Sequence, residues 1–223
     1  MNMILAIITM FAAMDCRMRS SAADGGDIPS VYQQVSYLEN TGTAYINLNR
    51  QMFNVEKLYC YFDLMLYNTS DGNVIGARVT PSYVALRTNF CSSKFQFSDF
   101  WSSDGLYTFS FSKNIRFVFE HYVELNGLRK DSKDGAVVYQ AEESGYASFS
   151  TDILYVFGIH QANGALGLSL KGRLYSVYVE VNDEIFCDLV PVIRKADGEP
   201  GMYDRAVGIF YTNAGSGSFN YGE

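Results

Sequence analysis

Tyr59, Tyr61, Asp63 and Tyr67 alternate with Cys60, Phe62, Leu64 and Leu66 along residues 57–67. In an extended chain successive side chains point to opposite sides, so the phenols and the carboxylate share one face and the apolar residues the other. Tyrosine rings stack on sugar faces while a carboxylate accepts hydroxyl hydrogen bonds, and binding sites mix apolar walls with a few polar groups in this way. The same face also suits an outer sheet surface covered by a loop or a neighbouring subunit. A second candidate is the loop Phe100-Trp101-Ser102-Ser103-Asp104-Gly105, which carries the only tryptophan, a sugar platform when exposed, beside Asp104. His160 closes the apolar run 153–159 and opens a loop, which makes it a third ligand-contact candidate. The segment Asn68-Thr69-Ser70-Asp71-Gly72-Asn73 offers the oxygen atoms that calcium takes, and ordinary turn chemistry explains it equally well.

Catalytic arrangements are harder to find. Glycan hydrolysis needs paired carboxylates, about 5 Å apart for retention and about 6.5–9.5 Å for inversion. The sequence has no E-x-D-x-E strand; Glu120 and Glu124 share a face at i+4, Glu142 and Glu143 point opposite ways, and Asp183 and Glu184 fall in a turn. His121 stands on an apolar face with Phe117, Phe119 and Val123 and reads as a core histidine, not a base. Nucleophile-elbow, P-loop and dinucleotide patterns are absent. The expectation is a non-enzyme, with a divergent glycan hydrolase as the lesser alternative.

Composition bounds what carries these groups. The chain has 223 residues, 48% hydrophobic and 15% aromatic, which favours strands. Its net charge of −7 leaves no basic stripe for nucleic acid. Cys16, Cys60, Cys91 and Cys187 form no CxxC, and the two histidines lie far apart, so zinc-ligand spacing is missing. One disulfide among Cys60, Cys91 and Cys187 is one reading, and free buried thiols are the other. The first residues, MNMILAIITMFAAM, are apolar but too short to span a bilayer. They read as a signal peptide or an assembly helix, and with the linker they make up residues 1–30.

From residue 31 onward, short alternating runs recur between turn signals, the pattern of an antiparallel sandwich or barrel. Strands are expected at 31–38, 44–48, 57–67, 73–79, 83–88, 94–97, 107–112, 115–124, 136–140, 153–159, 172–181 and 184–190. Asn126-Gly127 predicts a type I′ hairpin turn, and Asn182-Asp183 another polar turn.

The residues 37–46, YLENTGTAYI, resemble the opening of concanavalin A-like, laminin-G-like jelly-roll domains found in phage tail proteins and gut-bacterial surface proteins. The ending is similar to the same group, from Gly172-Arg173-Leu174-Tyr175-Ser176 through Asp188-Leu189-Val190-Pro191-Val192 to Gly201-Met202-Tyr203-Asp204, Phe210-Tyr211-Thr212-Asn213 and Gly215-Ser216-Gly217. The resemblance implies an all-β, two-sheet jelly-roll sandwich over residues 31–223. It also implies an extracellular, cell-surface or virion setting and a carbohydrate or other surface ligand. The competing expectation is a decoration or assembly domain bound to protein subunits. The closing residues themselves read as a latch that pins the sandwich.

Overall fold

The computed structural model describes residues 26–67, 72–77, 87–91, 94–98, 108–142, 150–160, 166–167 and 169–223. The N-terminal apolar segment, Trp101, Asp104 and residues 68–71 of the proposed calcium loop lie outside the described residues. Those described form strands and no helix.

Strands β1 (Tyr32–Gln34), β2 (Tyr37–Asn40) and β3 (Ile46–Asn47) lead to the long β4 (Lys57–Leu66). Next come β5 (Ile75–Gly76), β6 (Arg87–Cys91), β7 (Lys94–Ser98), β8 (Thr108–Ser110), β9 (Arg116–Glu124), β10 (Leu128–Lys133) and β11 (Ala136–Glu142). The pieces β12 (Tyr155–Val156), β13 (Ile159–His160) and β14 (Leu166–Gly167) precede β15 (Gly172–Val181) and β16 (Glu184–Arg194). The chain closes with β17 (Glu199–Asp204), β18 (Ile209–Tyr211) and β19 (Phe219–Gly222).

One eleven-stranded antiparallel sheet runs β11-β10-β9-β4-β15-β16-β17-β18, with β2 and β19 beside the start of β15 and β1 against β16. A smaller layer is ordered β3-β12-β5, with β13 paired to β14; β6, β7 and β8 form a separate three-stranded sheet. The alternation in β4 turns Leu58, Cys60, Phe62, Leu64 and Leu66 inward, where they join Phe117 and Phe119 of β9 and Leu174, Val177 and Val179 of β15. Ile46, Ile75, Leu154 and Val156 of the smaller layer belong to the same buried cluster, so the two layers share one core. Each fully buried side chain of this kind contributes about 1.5–3 kcal/mol.

Several expectations change in detail. The run 153–159 is not one strand: Phe157 takes a positive φ of 68° and separates β12 from β13. In the β9–β10 hairpin only Asn126 adopts left-handed backbone (φ 51°), so Asn126-Gly127 is not a type I′ pair. That geometry occurs instead at Asn182 and Asp183, with φ of 52° and 67°. β10, LRKDSK, has no hydrophobic alternation to betray it, and main-chain pairing with β9 and β11 holds it in place. The closing residues, read as a latch, take the form of sheet strands, and their hairpin sets Tyr203 and Phe210 against Tyr32 at 5.3 and 5.0 Å. Cys60 and Cys187 are free and buried. Both are opposite Val179, one on each side, so their backbones stand two strand spacings, about 9.5 Å, apart. That is beyond disulfide reach.

Candidate functional site

The expected tyrosine face lies on the outer surface of the large sheet, turned away from the core. Strand register sets its rows: Tyr61 is flanked by Glu120 and Tyr178, and Tyr59 by Tyr122 and Glu180. The polar ends are engaged within the face. The Tyr59 hydroxyl donates to Glu120 at 2.7 Å, and the Tyr178 hydroxyl to Glu180 at 2.5 Å. Tyr67 and Arg173 both donate to Glu39. Burial, reinforced by the Glu120 contact, pushes the Tyr59 phenol well up; burial and Glu39 do the same to Tyr67. Both stay protonated donors. Asp63 receives Arg116 in a two-pronged contact, and Arg116 in turn stacks on Tyr175.

On the inner face, Cys60, His121 and Asp131 stand in one cross-strand row. His121 Nδ1 is 2.6 Å from Asp131 Oδ1, and with an ionised carboxylate that bond places hydrogen on Nδ1. The order is that of a Cys–His–Asp triad, but all three residues are sealed in the interior. Burial, aided by Asp131, pushes the Cys60 thiol well above its ordinary range. A reactive thiol needs the reverse, a lowered pKa and access. His121 is therefore the core histidine that its strand face predicts, held at Nδ1 by Asp131.

His160 stands elsewhere, on the outer side of the smaller layer. Residues 44–53 alternate: Ala44, Ile46, Leu48 and Met52 are buried, while Asn49, Gln51 and Phe53 are exposed and Tyr45, Asn47 and Arg50 partly so. This ribbon pairs with 150–156 through Tyr155–Asn47 and Val156–Ile46, Leu48 N to Leu154 O, and Thr151 N to Met52 O. On its other side the partly exposed ring of Tyr45 covers the buried ring of Tyr155 (5% exposed) at 4.5 Å, and His160 meets Tyr155 edge-on at 4.8 Å. His160 Nδ1 lies 3.2 Å from Asp152 Oδ2. The other Asp152 oxygen accepts Gln51 Nε2 at 3.2 Å. Burial, the neighbouring Tyr45 phenol and Asp152 push the Tyr155 hydroxyl up to about 12, so it is protonated at neutral pH. Side chains of His160 and Asp152 keep 13% and 29% exposure, enough for their edges to meet a ligand. Two phenols, an imidazole, a carboxylate and an amide thus converge on one patch.

The structure therefore divides the expected residues. Tyr59, Tyr61, Asp63 and Tyr67 share one face, His160 belongs to the other layer, and Trp101 and Asp104 lie outside the described residues. Tyr45, Gln51, Asp152 and Tyr155 escaped sequence reading. Their signal was the alternation of 44–48, which continues to Met52 through the kink at Asn49 (φ 50°). Among the described residues no group of three or more His, Cys, Asp or Glu side chains is placed to hold a metal ion.

No family model matches the sequence, and no curated protein does. Solved structures do match. A native heptameric SAP-like pentraxin from Limulus polyphemus aligns over 71% of this chain and 80% of its own, with 11% identity and a TM-score of 0.55. The CBM40 of the Ruminococcus gnavus IT-sialidase, bound to α2,3 sialyllactose, aligns over 71% of this chain and 95% of its own (9% identity, TM-score 0.49). Domains LG4-5 of mouse laminin α1 align over 69% of this chain and 44% of theirs (16% identity, TM-score 0.47). At such identities a likeness speaks for architecture and not for ligand. The chain has the concanavalin A-like jelly-roll fold, as the two ends of its sequence predict.

Proposed function

We propose that this chain is a non-catalytic carbohydrate-binding module acting outside the cell, on a bacterial envelope or a phage particle. The observation that carries the reading is the patch where Tyr45 and Tyr155 stack and His160, Asp152 and Gln51 close around their edge. Such a mixture of ring area and hydroxyl-matching polar groups is what a sugar needs. Among the described residues Asp152 is the one carboxylate of the patch, and a hydrolase needs two. The surface setting rests on the resemblance of the two ends of the sequence. A glycan array read with the full chain should show retained polysaccharide. Asp152→Asn and His160→Ala should weaken that binding at least about tenfold, equivalent to about 1.4 kcal/mol, with unchanged thermal midpoints. Binding that survives both substitutions, or no retained glycan at all, overturns the reading. Trp101→Ala in the same array tests the loop of Trp101 and Asp104.

A second reading takes the outer face of the large sheet as a contact with protein subunits. It is favoured by the engagement of Tyr59, Tyr67 and Asp63 within the face, which leaves ring and guanidinium area, not free polar groups, to a partner. Tyrosine and arginine are enriched at such interfaces. Sedimentation of wild type against Tyr61→Ala decides it: an oligomer that dissociates on substitution favours the contact, and a monomer in both cases removes it.

A further inference from the structure

The patch at Tyr45 is one end of a longer stripe. Along the same outward side of the ribbon run Tyr45, Asn47, Asn49, Gln51 and Phe53, because their neighbours at even positions turn inward. Arg50, the single cation of residues 44–55, turns in with them. Its guanidinium lies 4.3 Å over the Phe186 ring and 3.4 Å from Asp204, away from the stripe. What remains outward is amides between two aromatic ends, without a positive charge from the ribbon. Primary amides both donate and accept, which matches neutral hydroxyls and not anionic groups.

Phe53 is 63% exposed. A single exposed apolar side chain is ordinary on a protein surface, but the backbone that presents this one is pinned on both sides. Asn54 N donates to Ser150 Oγ at 3.2 Å, and Asn54 O accepts Asn182 Nδ2 at 3.0 Å. The Asn182 side-chain oxygen also takes the amides of Glu56 and Lys57 at 2.9 and 3.0 Å. An aromatic ring held out by a fixed turn loses little freedom on binding, which is the condition for a useful platform.

Resting on the carbohydrate reading above, we infer that the ligand is an extended chain of neutral sugars and that Phe53 is the platform at its far end. Eight steps along the chain lead from Tyr45 to Phe53, at most about 26 Å at the rise of a strand and less through the kink at Asn49. That length exceeds any single sugar ring. Asn47 Oδ1 already accepts Asn49 N at 2.8 Å and Gln51 Nε2 donates to Asp152, so the hydroxyls in between meet the side-chain amide of Asn49, Asn47 Nδ2 and Gln51 Oε1.

The test uses the full chain and two kinds of probe. Affinity electrophoresis against β-glucan, mannan, xylan and galactan, with alginate as the acidic control, identifies the polymer. Oligosaccharides of that polymer, from the monosaccharide to the hexasaccharide, are then titrated by calorimetry. Affinity should climb with chain length, and Phe53→Ala should weaken the hexasaccharide about tenfold while leaving the disaccharide unchanged. Its thermal midpoint, unchanged for so exposed a position, reports that it folds. Equal affinity for short and long chains, indifference to Phe53→Ala, or retention by alginate alone overturns this inference and leaves the carbohydrate reading standing. Failure of every polymer overturns both.

Discussion

Arg116 lies over the ring of Tyr175, its guanidinium carbon 3.9 Å from the centroid, while Nε and Nη2 hold the two carboxylate oxygens of Asp63 at 2.8 and 2.6 Å. Tyr175 meets Tyr37 edge-on at 5.7 Å, and Arg173 covers Tyr37 at 4.0 Å while donating to Glu39. Four strands, β9, β15, β4 and β2, are thereby joined on the outer face by alternating cations and rings. Asp63→Ala removes the acceptor of a bidentate pair whose arginine side chain is 57% exposed. Solvent screening limits the loss to about 1 kcal/mol, or a thermal midpoint lower by about 2–4 °C. Glycan affinity should not change, because the patch at Tyr45 stands on the other layer. A fall in affinity with an unchanged midpoint would instead make Asp63 a ligand contact.

The buried pair His121–Asp131 should behave differently. Asp131 is enclosed with Arg129 nearby, its Nη2 3.9 Å away. Removing Asp131 leaves His121 Nδ1 and the buried Arg129 guanidinium enclosed without that carboxylate, at a cost of about 3–5 kcal/mol. Asp131→Ala is expected to lower the unfolding free energy, measured by urea titration, by that amount. A cost near that of Asp63→Ala would mean that water reaches the pair.

Much of the fold could be read from residues because both ends of the chain are regular. The alternation of 57–67 places the side chains of β4 on the correct face, and the Asn182-Asp183 turn joins β15 to β16 as its polarity suggests. In β15 a simple alternation puts Tyr175 with Val177 and Val179, whereas the bulge between Leu174 and Ser176 turns Tyr175 to the outer face. β10 could not be read: Arg129 and Asp131 point inward, which reverses the rule that charged residues face water, and Asp131 meets both His121 and Arg129 there. The site was half legible. His160 was visible as a loop histidine after an apolar run, but its partner Asp152 lies eight positions earlier and reaches it only because Phe157 breaks the strand. Tyrosines 59, 61 and 67 attracted attention by spacing alone, and spacing does not disclose that Glu120 and Glu39 already hold two of them.

Cys60 and Cys187 supply a chemical test of the core. Burial is the main cause of the rise in both thiols, and neighbouring carboxylates add to it. Neither thiolate forms in the folded protein at neutral pH, and no reagent reaches it. Variants that retain only these two cysteines should react with a thiol-specific disulfide reagent at the rate of unfolding, and at once in denaturant. Rapid labelling of native protein would show an open interior at β4 or β16.

Glu39 sets an acid limit on stability. Burial opposes its ionisation, but hydrogen bonds from Tyr67, Arg173 and Asn220 outweigh that and hold the carboxyl below its ordinary 4.5. A carboxyl lowered by folding binds its proton less tightly in the folded state, so its contribution is complete above 4.5 and is lost as pH falls through the lowered value. Asp204 acts in the opposite sense: burial raises its carboxyl despite the amides of Asp188 and Ala206, so its contribution fades as pH rises through that raised value. Comparing wild type with Glu39→Gln cancels Asp204, which is common to both. The variant should be less stable at about pH 6, and the gap should narrow as pH falls below 4.5 and through the lowered value, as wild-type Glu39 takes up its proton and Arg173 loses its counter-charge. Denaturant midpoints measured across that range decide the matter. A gap that stays constant would mean that packing around Tyr37 and Tyr67, and not the charge on Glu39, fastens β2 to β15.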